Sequence, residues 1–121
     1  MPMEKRPDRD KSYQFAVALT RHLLRYQREQ REYLISRQCL RAGTSIGANI
    51  AEADAAQSRK DFIAKMAVAS KEARETCYWL RLMRDTDMSG QDTANSLLDA
   101  CGELVRLLTA IVKTAQSTIQ H

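Results

Sequence analysis

The sequence predicts an all-α fold, an antiparallel up-down-up-down four-helix bundle, on three observations. Apolar residues recur at helical spacing from residue 10 onward. Both prolines, Pro2 and Pro7, precede residue 10, and only four glycines occur in 121 residues. The polar gaps between periodic segments are short enough to force neighbouring helices antiparallel. No alternating strand pattern competes. The length suits one domain, so residues 10–121 are expected to form the bundle and residues 1–9 a flexible N-terminal segment.

The first helix is expected over about residues 10–28, with Phe15, Leu19, His22, Leu23 and Tyr26 on one side. The second runs over about 32–56, where Ile35, Cys39, Ala42, Ile46, Ile50 and Ala53 fall within about 40° of one line at helical pitch. Ser58-Arg59-Lys60-Asp61 reads as an acidic capping box that opens a third helix. Phe62, Met66, Ala69, Ala73, Thr76, Leu80 and Met83 then alternate in steps of four and three, the rhythm of near-antiparallel packing. Ser89-Gly90-Gln91-Asp92 offers another box before a fourth helix, whose stripe includes Leu97, Leu98, Cys101, Leu104, Val105, Leu108, Ile111, Val112 and Ala115.

Within the second segment, Gly43 and Gly47 raise the question of a phosphate-cradling turn. Such a turn needs a preceding strand and more glycines, or a Lys-Ser/Thr pair after the second glycine. Here the preceding residues are helical, Ala48 and Asn49 follow Gly47, and the apolar phase continues unbroken. Gly43, Gly47, Ala51 and Ala55 instead form a ridge of small residues that lets another helix approach closely. A kink near Gly43 is the plainer alternative. Asn49, at the seam's margin, is expected to fix helix register.

The sides facing away from the seams lack the expected charges. On helix two they carry Thr44, Ala48, Ala51 and Ala55; on helix three Ala64, Val68, Tyr78 and Leu82, with Trp79 on the flank. Thr44, Ala48, Ala51, Ala55, Val68, Tyr78, Trp79 and Leu82 are therefore expected to be buried between subunits of a homo-oligomer. Scattered apolar residues on a monomer are the competing reading. Tyr78 and Trp79 could stack on bases, but two aromatics on an apolar-tiled helix fit an interface better.

The net charge of +4 sits unevenly: residues 1–41 carry +5 and the remainder −1. Arg21, Arg25 and Arg28 form a stripe about 130° from the first apolar seam. With Arg31 in the turn and Arg37 and Arg41 outward on helix two, they make a candidate surface for RNA or DNA backbone, bound by charge and counterion release. A solvated helix face diluted by Glu29 and Glu32 is the alternative.

Enzyme chemistry has no foothold in the pattern, and neither catalytic residues, cofactors nor metal ligands are expected. Cys39, Cys77 and Cys101 are odd in number and far apart, with no CxxC pair and no activating neighbour at readable spacing. Glu72 and Glu75 lack the Glu-x-x-His partners of a di-iron bundle and are expected to pair with Lys71, Arg74 or a neighbouring subunit. His22, on an apolar seam, is expected to be packed and hydrogen-bonded. No apolar run reaches membrane-spanning length and no signal peptide opens the chain, so no membrane contact and a cytoplasmic location are expected.

The ordered set Ser45-Ile46, Asn49-Ile50-Ala51-Glu52-Ala53, Ser58-Arg59-Lys60-Asp61-Phe62-Ile63, Lys71-Glu72-Ala73-Arg74-Glu75-Thr76 and Tyr78-Trp79-Leu80, preceded by Phe15-Ala16, resembles the 23S rRNA intervening-sequence proteins. The resemblance extends over nearly the whole chain. It implies a left-handed antiparallel bundle assembling into a ring-like homopentamer, with no defined activity. A group similar in fold, the accessory variability proteins of diversity-generating retroelements, binds a reverse transcriptase and nucleic acid. The combined expectation is a non-enzymatic homo-oligomeric scaffold, with RNA, DNA or a reverse transcriptase as partner; the alternative is a protein-binding adaptor without nucleic-acid contact.

Overall fold

A computed structural model describes residues 5–86 and 90–120. It contains four helices: α1 Pro7–Gln30, α2 Leu34–Asp54, α3 Arg59–Asp85 and α4 Gln91–Gln120. Successive helices pack against one another and α4 closes back on α1, the antiparallel four-helix bundle expected from the periodicity.

The first helix begins at Pro7, earlier than expected, so Pro7, Asp8 and Arg9 lie within α1. Proline suits the first helical position because its fixed φ is already helical and its missing N–H would find no intrahelical partner. Asp8 and Asp10 in the first turn complement the helix dipole. Asp8 is buried and takes a two-pronged bond from Arg6, at 3.1 and 3.0 Å; Arg6 also reaches Asp54 at 3.0 Å, and Arg9 reaches the same carboxylate at 3.2 Å. This network ties the start of α1 to the end of α2.

The turn between α1 and α2 is set by Arg31, which ends α1 in the left-handed region at φ 53° while its N–H donates to the Gln27 carbonyl. Glu32 then caps α2 from outside: its carboxylate accepts from the N–H groups of Ile35 at 2.7 Å and Ser36 at 2.9 Å. Glu32 is thus committed to capping, and its charge offsets the exposed N–H groups of α2. Ser58 caps α3 as its sequence predicts, accepting from the Asp61 N–H at 3.0 Å. Ser89 of the other expected box lies outside the described residues.

The core follows the predicted seams. Leu19, Leu23, Ile46, Ile50, Met66, Leu80, Met83, Leu104 and Leu108 are all fully buried, each worth about 1.5–3 kcal/mol in transfer terms. Buried Thr76 is satisfied within its own helix by the Glu72 carbonyl at 2.7 Å. Asn49 does likewise, donating to the Ser45 carbonyl at 2.8 Å, so the expected register-fixing contact is instead a bond inside α2.

Helix α2 runs unbroken through both glycines, neither of which has positive φ. The two serve the packing of α1 on α2 but are not equivalent. A Cβ on Gly43 would fall inside the buried Leu19 side chain, whereas one on Gly47 would meet Ser12 at an ordinary 3.5 Å. Gly43 is the position where a side chain cannot enter without displacing the core.

His22 departs from expectation in one respect. Half-buried beside Tyr26, with ring centroids 6.4 Å apart, it is packed, yet its Nε2 has no hydrogen-bond partner among the described residues. Burial lowers its pKa below the ordinary 6.5, Arg25 adds to the effect and Glu29 opposes it. The unfolded chain therefore takes up this proton first. The stability that neutral His22 contributes is complete above pH 6.5 and drains away as pH falls from there through the lowered native value. Urea titrations across that window should show wild type losing stability on acidification, with His22→Leu flatter; identical slopes would refute the assignment.

Candidate functional site

The outward residues of α2 line a groove with α1 that, among the described residues, none from α3 enters. Thr44, Ala48 and Ala51 are exposed and line a groove of about 650 Å³ between α1 and α2, together with Ser12, Tyr13 and Gly47. The groove exists because small residues on α2 leave its floor low, while Tyr13, 70% exposed, stands at its edge. Ala55 is exposed just past the end of α2.

On α3, Val68 and Tyr78 are exposed, Leu82 and Trp79 half-buried. Trp79 packs edge-on to Tyr78, with centroids 5.0 Å apart, and donates its indole N–H to Glu75 at 3.1 Å. Glu75 in turn pairs with Arg41 from α2, which also reaches Glu72 at 3.4 Å. Glu72 and Glu75 thus find their partner in the neighbouring helix of the same chain, and Trp79 is held at the α2–α3 boundary.

That pairing removes Arg41 from the expected cationic surface. Arg21, Arg25 and Arg28 remain: all three are exposed on the outer side of α1 and form no ion pair among the described residues. Arg31 is exposed at the end of the same helix, and the Arg37 guanidinium lies 5.7 Å from the centre of the half-open Tyr33 ring. Cations and one accessible aromatic therefore gather toward the α1–α2 turn, while the carboxylate of Glu32 is turned inward as a cap.

The fold also unites the three cysteines. Cys39 from α2 and Cys101 from α4 are fully buried; Cys77 from α3 is half-buried near them. Cys77 has the cationic neighbours that the sequence reading did not recognise. Arg74 and Arg81 flank it one turn to either side on α3, and Arg106 approaches from α4. Arg74 is anchored across that boundary by Thr109 at 3.0 Å. The signal was present as an arginine three residues before and four after Cys77, but the sequence did not show that Cys101 would lie opposite.

Among the described residues no helix is long and apolar enough to cross a membrane. No group of three or more His, Cys, Asp or Glu side chains among them is arranged to hold a metal ion.

Comparison with known proteins gives a consistent assignment. The chain is similar to a crystal structure of a protein of unknown function from the S23 ribosomal protein family of Bacteroides thetaiotaomicron. The two are 46% identical, with a TM-score of 0.84 over 87% of this chain and 97% of that one. No curated protein matches. The family described as 23S rRNA-intervening sequence protein matches residues 9–110, from the first turn of α1 through the whole of α2 and α3 and two-thirds of α4. The chain belongs to the 23S rRNA-intervening sequence protein family.

Proposed function

We propose that this protein is a non-enzymatic, homo-oligomeric helical scaffold that holds the backbone of RNA or DNA on the arginine side of α1. The observation that carries the reading is the exposed, unpaired stripe Arg21, Arg25 and Arg28, extended by Arg31 and by Arg37 over Tyr33. Guanidinium groups free of carboxylate partners keep their full attraction for phosphate, and an accessible ring beside them can stack on a base. The open α1–α2 groove, lined by Tyr13, Thr44, Ala48 and Ala51 but also by Arg9, Asp10 and Asp54, and the exposed Val68 and Tyr78 of α3 supply surface for contacts between copies. A ring of five is what the family resemblance implies, and a reverse transcriptase as partner is what likeness in fold to the accessory variability proteins implies. Symmetric assembly would repeat the stripe around the ring and multiply weak phosphate contacts into useful avidity.

Retention of single-stranded RNA and DNA oligonucleotides at low salt, with light scattering on the same sample, tests this. Wild type is expected to sediment as an oligomer and retain both nucleic acids. The Arg21→Glu/Arg25→Glu/Arg28→Glu variant, with unchanged helicity, should lose about ten-fold or more in affinity and flatten the salt dependence by about three units per engaged protomer. Unchanged retention in the triple variant, or none by wild type, favours the adaptor without nucleic-acid contact. A monodisperse monomer overturns the scaffold.

A further inference from the structure

We propose that Cys77 and Cys101 form a redox-active dithiol, which hydrogen peroxide closes into a disulfide joining α3 to α4. Cys77 and Cys101 face each other across the boundary between α3 and α4, close enough for each to perturb the other's titration. Cys101 also donates to the Ala73 carbonyl at 3.2 Å, one turn before Cys77 on α3, so its thiol is held against the turn that carries its partner.

The pair is asymmetric in the way a peroxide-reactive pair requires, with one accessible thiolate and one sheltered resolving thiol. Cys77 is the half-exposed member and Cys101 is fully buried. Arg74, Arg81 and Arg106 surround Cys77 and favour its anion. The hydrogen bond from Cys101 lowers the Cys77 pKa below the ordinary 9.0, and the arginines add to that against the opposing effect of burial; the same bond raises that of Cys101. Cys39 provides the internal contrast: burial, with Cys77 adding to it, pushes its thiol up to about 12.

The chemistry balances with the peroxide as sole oxidant. The Cys77 thiolate attacks one peroxide oxygen, the O–O bond breaks, and the departing hydroxide takes up the proton released from the Cys77 thiol to leave as water. Cys77 is now a sulfenic acid. The Cys101 sulfur attacks the Cys77 sulfur, the S–O bond breaks, and hydroxide departs with the Cys101 proton as a second water. Two thiols are oxidised and one peroxide is reduced to two waters. The bond clamps α3 to α4 near Tyr78, closing a loop that runs from residue 77 to residue 101.

The test uses the purified full chain and hydrogen peroxide, followed by denaturation, alkylation and intact-mass and peptide analysis. Wild type is expected to lose two alkylatable thiols and two hydrogens in mass, to yield a peptide linking residues 77 and 101, and to recover fully with a dithiol reductant. Before oxidation, Cys77 should alkylate about ten-fold or more faster than the other two thiols. Cys39→Ala should close the same bond at the wild-type rate, which keeps the test independent of any folding defect in the Cys101 variant. Cys101→Ser should stop at a sulfenic acid trappable by a cyclic diketone. A cross-link through Cys39, disulfides only between chains, or three thiols still alkylatable after peroxide would overturn the proposal.

Discussion

Gly43→Val is expected to destabilise the bundle by about 3 kcal/mol, a large share of the stability of a domain this size. The added carbons would enter the space of the Leu19 Cδ2 methyl, and Thr76 closes the far side at 3.5 Å. Leu19 is fully buried, so its side chain cannot swing into solvent to make room. The effect should be coupled: Leu19→Ala alone costs about 3–4 kcal/mol by opening a cavity, but in the double variant valine refills part of that cavity. Chemical denaturation should therefore give a double-variant loss smaller than the sum of the singles by about 1 kcal/mol or more. Gly47→Ala marks the contrast. Its methyl has ordinary room beside Ser12, so the gain in helix propensity should stabilise α2 by up to about 1 kcal/mol. Strict additivity of the Gly43 and Leu19 variants would show that they do not share the same space.

Asp8→Ala should cost about 2 kcal/mol, measured as a shift in urea midpoint at unchanged slope. The carboxylate is 2% exposed and takes both prongs of Arg6, but Arg6 is one-third exposed and keeps Asp54 as a second partner. That residual pairing holds the cost below the 3–5 kcal/mol typical of breaking a fully buried pair. Asp10→Ala removes only an exposed first-turn charge and should cost no more than about 0.5 kcal/mol. Equal costs for the two would show that the Arg6–Asp8–Asp54 network adds nothing beyond the helix dipole.

The first helix shows why its boundary was hard to read. The apolar period begins at Phe15, and the residues before it, Pro7-Asp8-Arg9-Asp10-Lys11, are polar and look like a tail. What makes them helical is the Asp8 carboxylate, buried by its bond to Arg6, whose guanidinium also reaches Asp54, 48 residues away in the chain. Arg41 and Trp79 teach the same lesson. Their spacing placed them correctly on outward or flanking faces, but their partners, Glu72 and Glu75, are one helix away for Arg41 and one turn away for Trp79. The arginines of α1 were more legible, because a stripe of like charges on one helix depends on pitch alone.

The sequence by itself determined four helices, their order and the inward residues, because helical pitch converts spacing along the chain directly into a face. It also determined that Gly43 and Gly47 belong to a helix. Only the tertiary structure decided which arginines stay unpaired, that Gly43 faces Leu19 while Gly47 has room to spare, and that three distant cysteines meet in one layer. Those facts depend on the axial register and rotation of one helix against the next, which arise from packing between segments and leave no periodic trace within any one of them.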